Sequence, residues 1–265
     1  MGNLIQLICD YGPNDMAWAE VTAAFMGALP DGWHLHCTTV PPFDTIATGF
    51  IVNQLCVAEP PLRPKNLFVF ANTAPRKDNL KARENNEGEG LLYGRLKNGV
   101  QLVAVNSGFS MSFVKNDIEE LWSTTAEDGG SQFRSRDFFP SVFGTILAGD
   151  KKDLVHTLDP REVIPNPPSH LIGYIDSFGN IKTTIRGSDP QIASMSPGDR
   201  IKIRIGRYIR TATVASGSFA ISEGDLAFAP GSSGGFDRFW EIFQRGGSAA
   251  NEFGHPTNGS TIYFL

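Results

Sequence analysis

The chain has 265 residues, enough for one large or two medium domains, and 41% of them are hydrophobic, which is sufficient for a buried core. Its net charge of −5 comes from interspersed acidic and basic residues, which argues against binding to nucleic acid or to an anionic membrane. Cys9, Cys37 and Cys56 lack CxxC spacing and are expected to be reduced thiols of a cytoplasmic protein. We expect no signal peptide, since the first residues lack a basic region and a long apolar stretch, and no membrane span, since a run of about 18 apolar residues is missing.

The first half of the sequence alternates predicted strands and helices. In chain order they are a strand at 4–9 (LIQLIC), a helix at 15–29, a strand at 33–40, a helix at 43–59 and a strand at 66–72 (NLFVFAN). Asn14 is predicted to cap the first helix. This order indicates an α/β N-terminal domain, Rossmann-like with a largely parallel sheet.

The rest of the N-terminal half contains a predicted hairpin and two predicted helices. Residues 91–108 hold two strands around an Asn98–Gly99 turn, because Asn-Gly favours two-residue hairpin turns. The segment MSFVKNDIEELW (111–122) is predicted to be a short helix, and 137–150 a further helix.

Four prolines in residues 159–170 predict a linker, because proline disrupts both helices and central strands. Beyond it, RIKIRI (200–205) alternates charged residues with isoleucine, which is typical of a half-exposed antiparallel strand. The sequence therefore predicts an α/β domain at 1–158, a proline-rich linker at 159–170 and a small all-β, barrel-like domain at 171–265.

Polar residues follow three of the predicted strands, where ligands bind in open α/β sheets. They are Asp10, Asn72, Thr73, Arg76, Asn106 and Ser107. Asp10 can accept hydrogen bonds from both hydroxyls of a ribose, or it can be an ordinary loop residue. Each of the others, taken alone, is better explained as a turn residue, and only their shared edge suggests a site.

Residues 131–140 (SQFRSRDFFP) place charged residues before a predicted helix. Asp137 either caps that helix and pairs with an arginine or has a catalytic role, and the sequence leaves both open. His34 and His36 alternate on a strand, but no carboxylate or cysteine at ligand spacing accompanies them, so no metal site is predicted.

These segments, in this order, resemble one family, the S-adenosylmethionine (SAM) hydroxide adenosyltransferases with the related fluorinase and chlorinase. The matching segments are CDYG (9–12), VPPFDT (40–45), FANTAPR (70–76), VNSG (105–108), QFRSRDFFP (132–140), YIDSFGNIKTTI (174–185) and RGGSAANEFG (245–254). The Asp-x-Phe-Gly-Asn segment is the most specific of them.

The resemblance implies a nucleoside pocket and a role for each residue around it. Asp176 would hold the methionine ammonium, Phe178 would stack on adenine, Asn180 would bond the adenine edge, and Asp10 would bind the ribose. Further implied substrate contacts are Tyr11, Thr73, Asn106, Phe133, Ser233, Gly247, Ser248 and Ala249. The family is typically trimeric, with pockets between subunits. The resemblance thus implies a homotrimer that binds a small nucleoside and neither nucleic acid nor membrane.

Departures from the family pattern affect the catalytic positions. Asn72 stands at the position of a catalytic aspartate and Arg134 at that of a histidine, while Arg76 matches the arginine. Neither an amide nor a guanidinium can take a proton at pH 7. Ser135 stands where the fluorinase has a halide-binding serine.

The implied reaction displaces methionine at ribose C5′ with water, with SAM as substrate and no further cofactor. The sequence leaves two alternatives open: a nucleoside- or SAM-binding protein with little catalysis, and a halide adenosyltransferase.

Overall fold

The computed structural model describes residues 2–58, 63–75, 89–125, 132–217 and 220–265. The chain divides into two compact units, Met1–Pro167 and Pro168–Leu265. Helices accompany the sheet of the first unit, and a second sheet makes up most of the other. This arrangement confirms the predicted combination of an α/β and a mainly β part. No helix in the described ranges has the length and apolar character needed to cross a bilayer.

The first unit is an α/β structure. Its strands are β1 Asn3–Cys9, β2 Trp33–Thr39, β3 Asn66–Asn72, β4 Leu91–Leu96, β5 Gln101–Val105, β6 Ile118–Thr124 and β7 Leu154–Thr157. Its helices are α1 Met16–Ala28, α2 Thr45–Cys56, α3 Arg134–Asp137, α4 Phe139–Leu147 and α5 Pro160–Val163, with a 3₁₀ helix at Ser112–Asp117.

The sheet of this unit is mixed, so the prediction of a largely parallel, Rossmann-like sheet was too specific. Among the described residues the strand order is β2-β1-β3-β5-β4-β6-β7. The first four strands pair in parallel, and the three remaining pairings are antiparallel. The physical reason is the short turn at Asn98–Gly99, because so short a connection can join only antiparallel strands. Beyond β5, each strand therefore runs opposite to its neighbour.

Most predicted elements of this unit form, with local corrections. Asp15, and not Asn14, caps α1, since the Asp15 carboxylate accepts the N–H of Ala17 at 3.0 Å. Asn14 instead adopts a left-handed conformation with φ 66°. Asp137 does not cap α4, whose N-cap is Phe138; it pairs with Arg136 at 2.5 Å.

The predicted helix at 111–122 is a 3₁₀ helix followed by strand β6. Ile118 and Leu121 are buried at a spacing of three, which imitates a helical face in the sequence. Pairing with β4, where Tyr93 lies opposite Trp122, determines the strand instead. A pairing between segments so distant in the chain is invisible to local periodicity.

Helices α1 and α4 cover the sheet face that carries Ile5, Leu7, Phe68 and Phe70, and these residues share one buried cluster with both helices. Phe25 of α1 meets Phe70 edge-to-face at 4.9 Å between ring centroids and Phe143 of α4 at 5.4 Å. Such aromatic pairs add to the stabilisation from apolar burial. The core thus fixes the strands whose ends form the rim described below.

The second unit is a curled antiparallel-rich sheet. Its strands are β8 Ile172–Ile175, β9 Ile181–Arg186, β10 Arg200–Ile205, β11 Tyr208–Val214, β12 Leu226–Pro230, β13 Phe239–Gln244 and β14 Ile262–Phe264. Its helices are α6 Pro190–Ala193 and α7 Ala249–Glu252. The order is β14-β10-β11-β12-β13-β9-β8, and a bridge between Leu171 and Thr261 links its two outer ends. The sheet therefore closes on itself at that point.

The proline-rich segment carries the short helix α5 and is held to the first unit by one buried lysine. Lys115 Nζ donates to the carbonyl of Ile164 at 2.6 Å, to Asn166 Oδ1 at 3.0 Å and to the carbonyl of Arg161 at 3.3 Å. Lys115 is only 8% exposed. These three acceptors satisfy an ammonium group that would otherwise be costly to bury.

Lys115→Met is therefore expected to lower the free energy of unfolding of the first unit by about 2–4 kcal/mol, since buried acceptors lose their partner. Urea unfolding followed by fluorescence measures the change. Lys97→Met is the matched control, because exposed Lys97 Nζ donates only to the carbonyl of Asn116; its loss should cost less than about 0.5 kcal/mol. Equal effects of the two variants would contradict the clamping role of Lys115.

Candidate functional site

The strand ends of the first unit form a polar rim. Cys9 at the end of β1 pairs with Asn72 on one side and Thr39 on the other, and Ala71 pairs with Ala104. Because the strands are parallel here, the residues that follow β1, β3 and β5 lie along one edge of the sheet. The structure therefore places Asp10, Asn72 and Asn106 on or next to the same edge, as the sequence indicated.

Three of the predicted site residues meet in one hydrogen-bonded group. Asn72 Nδ2 donates to the Tyr11 hydroxyl at 2.9 Å, and the same hydroxyl lies 2.5 Å from Ser135 Oγ. We call Tyr11, Asn72 and Ser135 the rim trio. Asn72 is 9% exposed and Ser135 is 4% exposed. Positions separated by 61 and 124 residues in the chain are thus joined through a single hydroxyl.

The tyrosine ring of the rim trio is fixed by its aromatic neighbours. It packs edge-on against Trp18 at 5.4 Å and against Phe133 at 6.0 Å, both measured between ring centroids. Burial, reinforced by the Cys9 thiol, raises the pKa of Tyr11 above its ordinary 10.0, although the hydrogen bonds from Ser135 and Asn72 act in the opposite direction. Tyr11 is therefore neutral at pH 7 and keeps its hydroxyl proton.

The proton count of the rim trio determines its chemistry. The amide of Asn72 donates to Tyr11, so the hydrogen bond between the hydroxyls of Tyr11 and Ser135 uses one of their two protons. One hydroxyl proton remains for a further acceptor in either arrangement. The trio contains no carboxylate or imidazole. It can orient an oxygen atom by hydrogen bonding, but it cannot act as a general base at pH 7.

Asp10 anchors the loop that follows β2. Its Oδ2 accepts the backbone N–H of Phe43 at 2.9 Å, and Phe43 adopts a left-handed conformation with φ 62°. This loop contains the segment VPPFDT that the family resemblance identified. Asp10 itself is partly exposed at the rim. The structure therefore gives this carboxylate a role in ordering the loop. Its contact with a ribose stays a prediction.

Other predicted residues take positions that differ in their access to the rim. Thr73 has no exposed surface, and its hydroxyl lies 2.7 Å from that of Thr48. It therefore packs beneath the rim and stabilises it. Asn106 is exposed and donates its backbone N–H to the carbonyl of Gly90 at 2.8 Å.

Of the two arginines at predicted catalytic positions, Arg134 donates to the carbonyl of Glu89 at 3.1 Å and lies over the ring of Phe139. Arg76 lies outside the described residues.

In the second unit, the carboxylate of Asp176 organises the turn between β8 and β9. Its Oδ1 accepts the backbone N–H groups of Phe178 and Asn180, both at 3.0 Å. Its Oδ2 accepts Asn180 Nδ2 at 2.9 Å and lies 3.4 Å from Lys182 Nζ. We call residues 176–180 the Asp176 turn. The turn holds Phe178 with 77% of its surface exposed.

The structure also brings the Asp176 turn against the 247–250 segment. Ala250 donates its N–H to the carbonyl of Gly179 at 2.9 Å, and Ser248 lies directly over Gly179. The Ser248 hydroxyl caps α7 by accepting the N–H of Asn251. Two of the predicted binding segments, far apart in sequence, thus form one surface within the second unit. Ser233 lies elsewhere, in the exposed part of the loop between β12 and β13.

Gly179→Ala is expected to destabilise the second unit by about 2–4 kcal/mol, from left-handed strain and from overpacking. Gly179 has φ +79°, and an added Cβ would collide with the Ser248 side chain. Urea unfolding measures the loss. Gly99→Ala provides a control, since Gly99 has φ +82° but open space around its Cβ position. If both variants lose the same stability, the contact with Ser248 is not a constraint.

The pH dependence of stability follows from the environment of Asp176. Burial alone would raise the pKa of Asp176, but hydrogen bonds from Asn180, the charge of Lys182 and the N–H of Phe178 together hold it below the ordinary 3.8. A lowered folded-state pKa gives stability that is complete above the unfolded-state pKa and is lost as the pH falls through the folded-state pKa.

The stability difference between wild type and Asp176→Asn should therefore be largest near neutral pH and should shrink below pH 3.8. Denaturant unfolding at a series of pH values measures it. A difference that stays constant down to the acid limit would show that the ionised form of Asp176 has no special stabilisation.

Sequence reasoning missed two features of these sites. It did not foresee that Tyr11, Asn72 and Ser135 bond one another, because nothing local links them. It also missed Lys182, whose Nζ contacts both Asp176 and Glu241. The available signal was a lysine two positions after Asn180, between Ile181 and Thr183.

Comparison with known proteins agrees with the resemblance seen in the motifs. Residues 171–260 match the family described as SAM hydroxide adenosyltransferase C-terminal domain. No curated protein matches the chain.

Two solved structures share the fold. An uncharacterized conserved protein from Thermotoga maritima has a TM-score of 0.76 at 18% identity, covering 98% of this chain and 99% of that one. A conserved hypothetical protein from Thermus thermophilus has a TM-score of 0.69 at 17% identity, covering 99% of this chain and 100% of that one. At these identities the likeness concerns the fold alone. The family match is confined to residues 171–260, within the second unit.

Proposed function

We propose that the protein binds S-adenosylmethionine and transfers its adenosyl group to water, giving adenosine and methionine. The observation that carries the proposal is the C-terminal domain match, within which the Asp176 turn and the 247–250 segment form one surface with an exposed aromatic ring. An exposed ring on a rigid turn is suited to stacking on a nucleobase. Asp10, on the rim of the first unit, supplies a carboxylate for the ribose hydroxyls.

In the proposed reaction the leaving group departs as a neutral thioether, so the enzyme need not protonate it. The water oxygen forms a bond to C5′ while the C5′–S bond breaks, and the electron pair of that bond neutralises the sulfonium as methionine leaves. The nucleophile loses one proton to solvent. The rim trio would orient the water oxygen without deprotonating it, so a slow reaction is expected, since a positioned base typically contributes ~10²–10⁴ in rate.

A second candidate function is binding of SAM or a nucleoside with little catalysis. It is favoured by Asn72 and Arg134, which replace the family's proton-accepting aspartate and histidine, and by the trio's lack of a base. In this case the hydrogen bonds of the trio would hold the ligand in place without advancing a reaction. Both candidates use the same surfaces, so a product assay is needed to separate them.

Incubation of the purified protein with SAM, followed by chromatography, tests the proposal. Equal amounts of adenosine and methionine support it, and bound but unchanged SAM supports the second candidate. A 5′-halo nucleoside formed in the presence of chloride would assign a halide transferase instead. Failure of SAM and adenosine to bind would overturn both candidates. We further propose a homotrimer, as in the family, which sedimentation analysis would test by a threefold mass.

A further inference from the structure

We infer that the outer face of strand β10 in the second unit binds the phosphate backbone of a single-stranded nucleic acid. We call Arg200, Lys202 and Arg204, which project from this face, the cationic row. The inference goes beyond the proposed function and does not rest on it. It departs from the expectation drawn from the overall charge, because a net charge does not describe how the charges are distributed. Residues 200–210 contain five basic residues and no acidic one.

The cationic row lies on one side of the strand because side chains alternate along β10. Ile203 and Ile205 belong to the core of the second unit and are 0% and 1% exposed, so the residues between and before them point outward. Neighbouring members of the row are about 6.6–6.8 Å apart at their Cα positions, since each strand residue advances the chain by about 3.3–3.4 Å. The row is therefore straight and evenly spaced.

The charges of the cationic row are not neutralised by ion pairs within the described part of the chain. Elsewhere on the described surface, Arg95, Arg136 and Arg161 each hold a carboxylate at a distance between 2.5 and 2.8 Å. No carboxylate in the described ranges lies within ion-pair distance of the cationic row. Asp199, the acidic residue next to the row in the sequence, accepts the backbone N–H of Ser196 at 2.7 Å. The row is therefore open to an external anion.

Strands β11 and β14 place uncharged side chains beside the cationic row. Thr211 and Thr213 of β11 lie opposite its first two members, and threonine hydroxyls are common donors to phosphate oxygens. The Arg204 guanidinium lies over the ring of Tyr263, 3.9 Å from the ring centroid, which restricts its freedom before a ligand binds. The three strands contain no acidic residue. The face therefore combines positive charge, hydroxyl donors and one positioned guanidinium.

The backbone of a single nucleic-acid strand matches this geometry. Successive phosphates along one strand are about 7 Å apart, because the backbone path is longer than its axial rise of about 3.4 Å. One phosphate can therefore face each member of the cationic row. A duplex matches less well, because its two backbones wind away from a straight row. An anionic membrane also matches less well, because Arg204 covers a face of the Tyr263 ring, which then does not insert between lipids.

Fluorescence anisotropy of a labelled oligo(dT), titrated with the full-length protein, tests the inference. We expect a dissociation constant of about 10⁻⁵ M at low salt, because few phosphates are contacted. Three contacts to a single strand give a slope of about −2 for the logarithm of the association constant against the logarithm of the salt concentration. The affinity should therefore fall about twentyfold between about 50 and about 200 mM salt. Absence of binding, or a slope near zero, would overturn the inference.

Two lysine variants separate the cationic row from the overall charge. Lys202→Gln, at an exposed position, should weaken oligo(dT) binding about three- to fivefold and make the salt slope shallower by about 0.7, since one phosphate contact is lost. Lys152→Gln is the matched control, because it changes the net charge equally but lies in the first unit, with its side chain 63% exposed. It should leave both the affinity and the slope unchanged. Equal losses in the two variants would overturn the assignment to the cationic row.

Competition experiments distinguish a single strand from other polyanions. Unlabelled oligo(dA) should compete within about threefold of oligo(dT) of equal length, because contacts to phosphates carry no base information. A duplex at the same phosphate concentration should compete more weakly, and stronger competition by the duplex would overturn the preference for a single strand. Tighter binding to phosphatidylserine vesicles than to oligo(dT) would assign the face to a membrane instead. These outcomes are independent of SAM binding, so a failure of the proposed function leaves the test intact.

Discussion

Replacing Asp10 with alanine is expected to weaken adenosine binding about a hundredfold or more. A carboxylate that accepts hydrogen bonds from both ribose hydroxyls contributes about 1.5–3 kcal/mol for each bond. The same substitution also removes the acceptor of the Phe43 N–H, so the loop after β2 loses its anchor. Calorimetric titration with adenosine measures the affinity, and it does so independently of any turnover.

Two further variants separate the effects of Asp10. Asp10→Asn keeps an oxygen for the Phe43 N–H but removes the charge, and an intermediate loss of affinity is expected. Asp15→Ala removes a nearby carboxylate that only caps α1, so it should cost about 1 kcal/mol of stability and leave binding unchanged. Wild-type affinity in Asp10→Ala would limit this residue to ordering the loop.

Tyr11→Phe is expected to reduce adenosine formation about a hundredfold while changing SAM affinity less than about threefold. Loss of the hydroxyl leaves Asn72 and Ser135 without their shared partner, so neither is held in place to orient a nucleophile. The ring contacts with Trp18 and Phe133 do not involve the hydroxyl and should persist. Steady-state kinetics, reported as kcat and KM, measure the effect.

Tyr93→Phe is the matched control for this prediction. Tyr93 is also a largely buried tyrosine of the first unit, and its hydroxyl donates to Gln101 Oε1 at 2.8 Å, away from the rim trio. Both variants should lose about 1–2 kcal/mol of stability. Only Tyr11→Phe should lose turnover. Equal kcat values for the two variants would show that the trio is structural and takes no part in the reaction.

The sequence predicted the part of the fold that local patterns encode. The apolar runs of β1 and β3, the helical spacing of Phe25 with Val21 in α1, and the alternation of β10 all gave the correct element. Strand β6 was predicted as helix because only its pairing with β4 distinguishes the two. The mixed sheet could have been predicted, since a hairpin at Asn98–Gly99 beside parallel strands requires one reversal.

For the candidate site, the sequence located segments but not partners. The ends of the parallel strands predicted the rim, and the family resemblance identified the Asp176 turn and the 247–250 segment as binding segments. Sequence alone could not show that Thr73 is buried, that Asp10 anchors Phe43, or that Asp176 accepts the N–H groups of its own turn. Such assignments depend on which donors lie within about 3 Å, the usual hydrogen-bond distance, and these come from long-range packing.

The bridge between Leu171 and Thr261 has a consequence for protein engineering. Antiparallel pairing continues outward from it, as Ile262 donates its N–H to the carbonyl of His170 at 2.7 Å, so Pro168 and Leu265 leave the sheet from adjoining strands. A short peptide could join these two ends, and new termini could be opened in the exposed loop after β12. A circularly permuted 168–265 fragment would keep every strand pairing and provide a compact module for testing the Asp176 turn by itself.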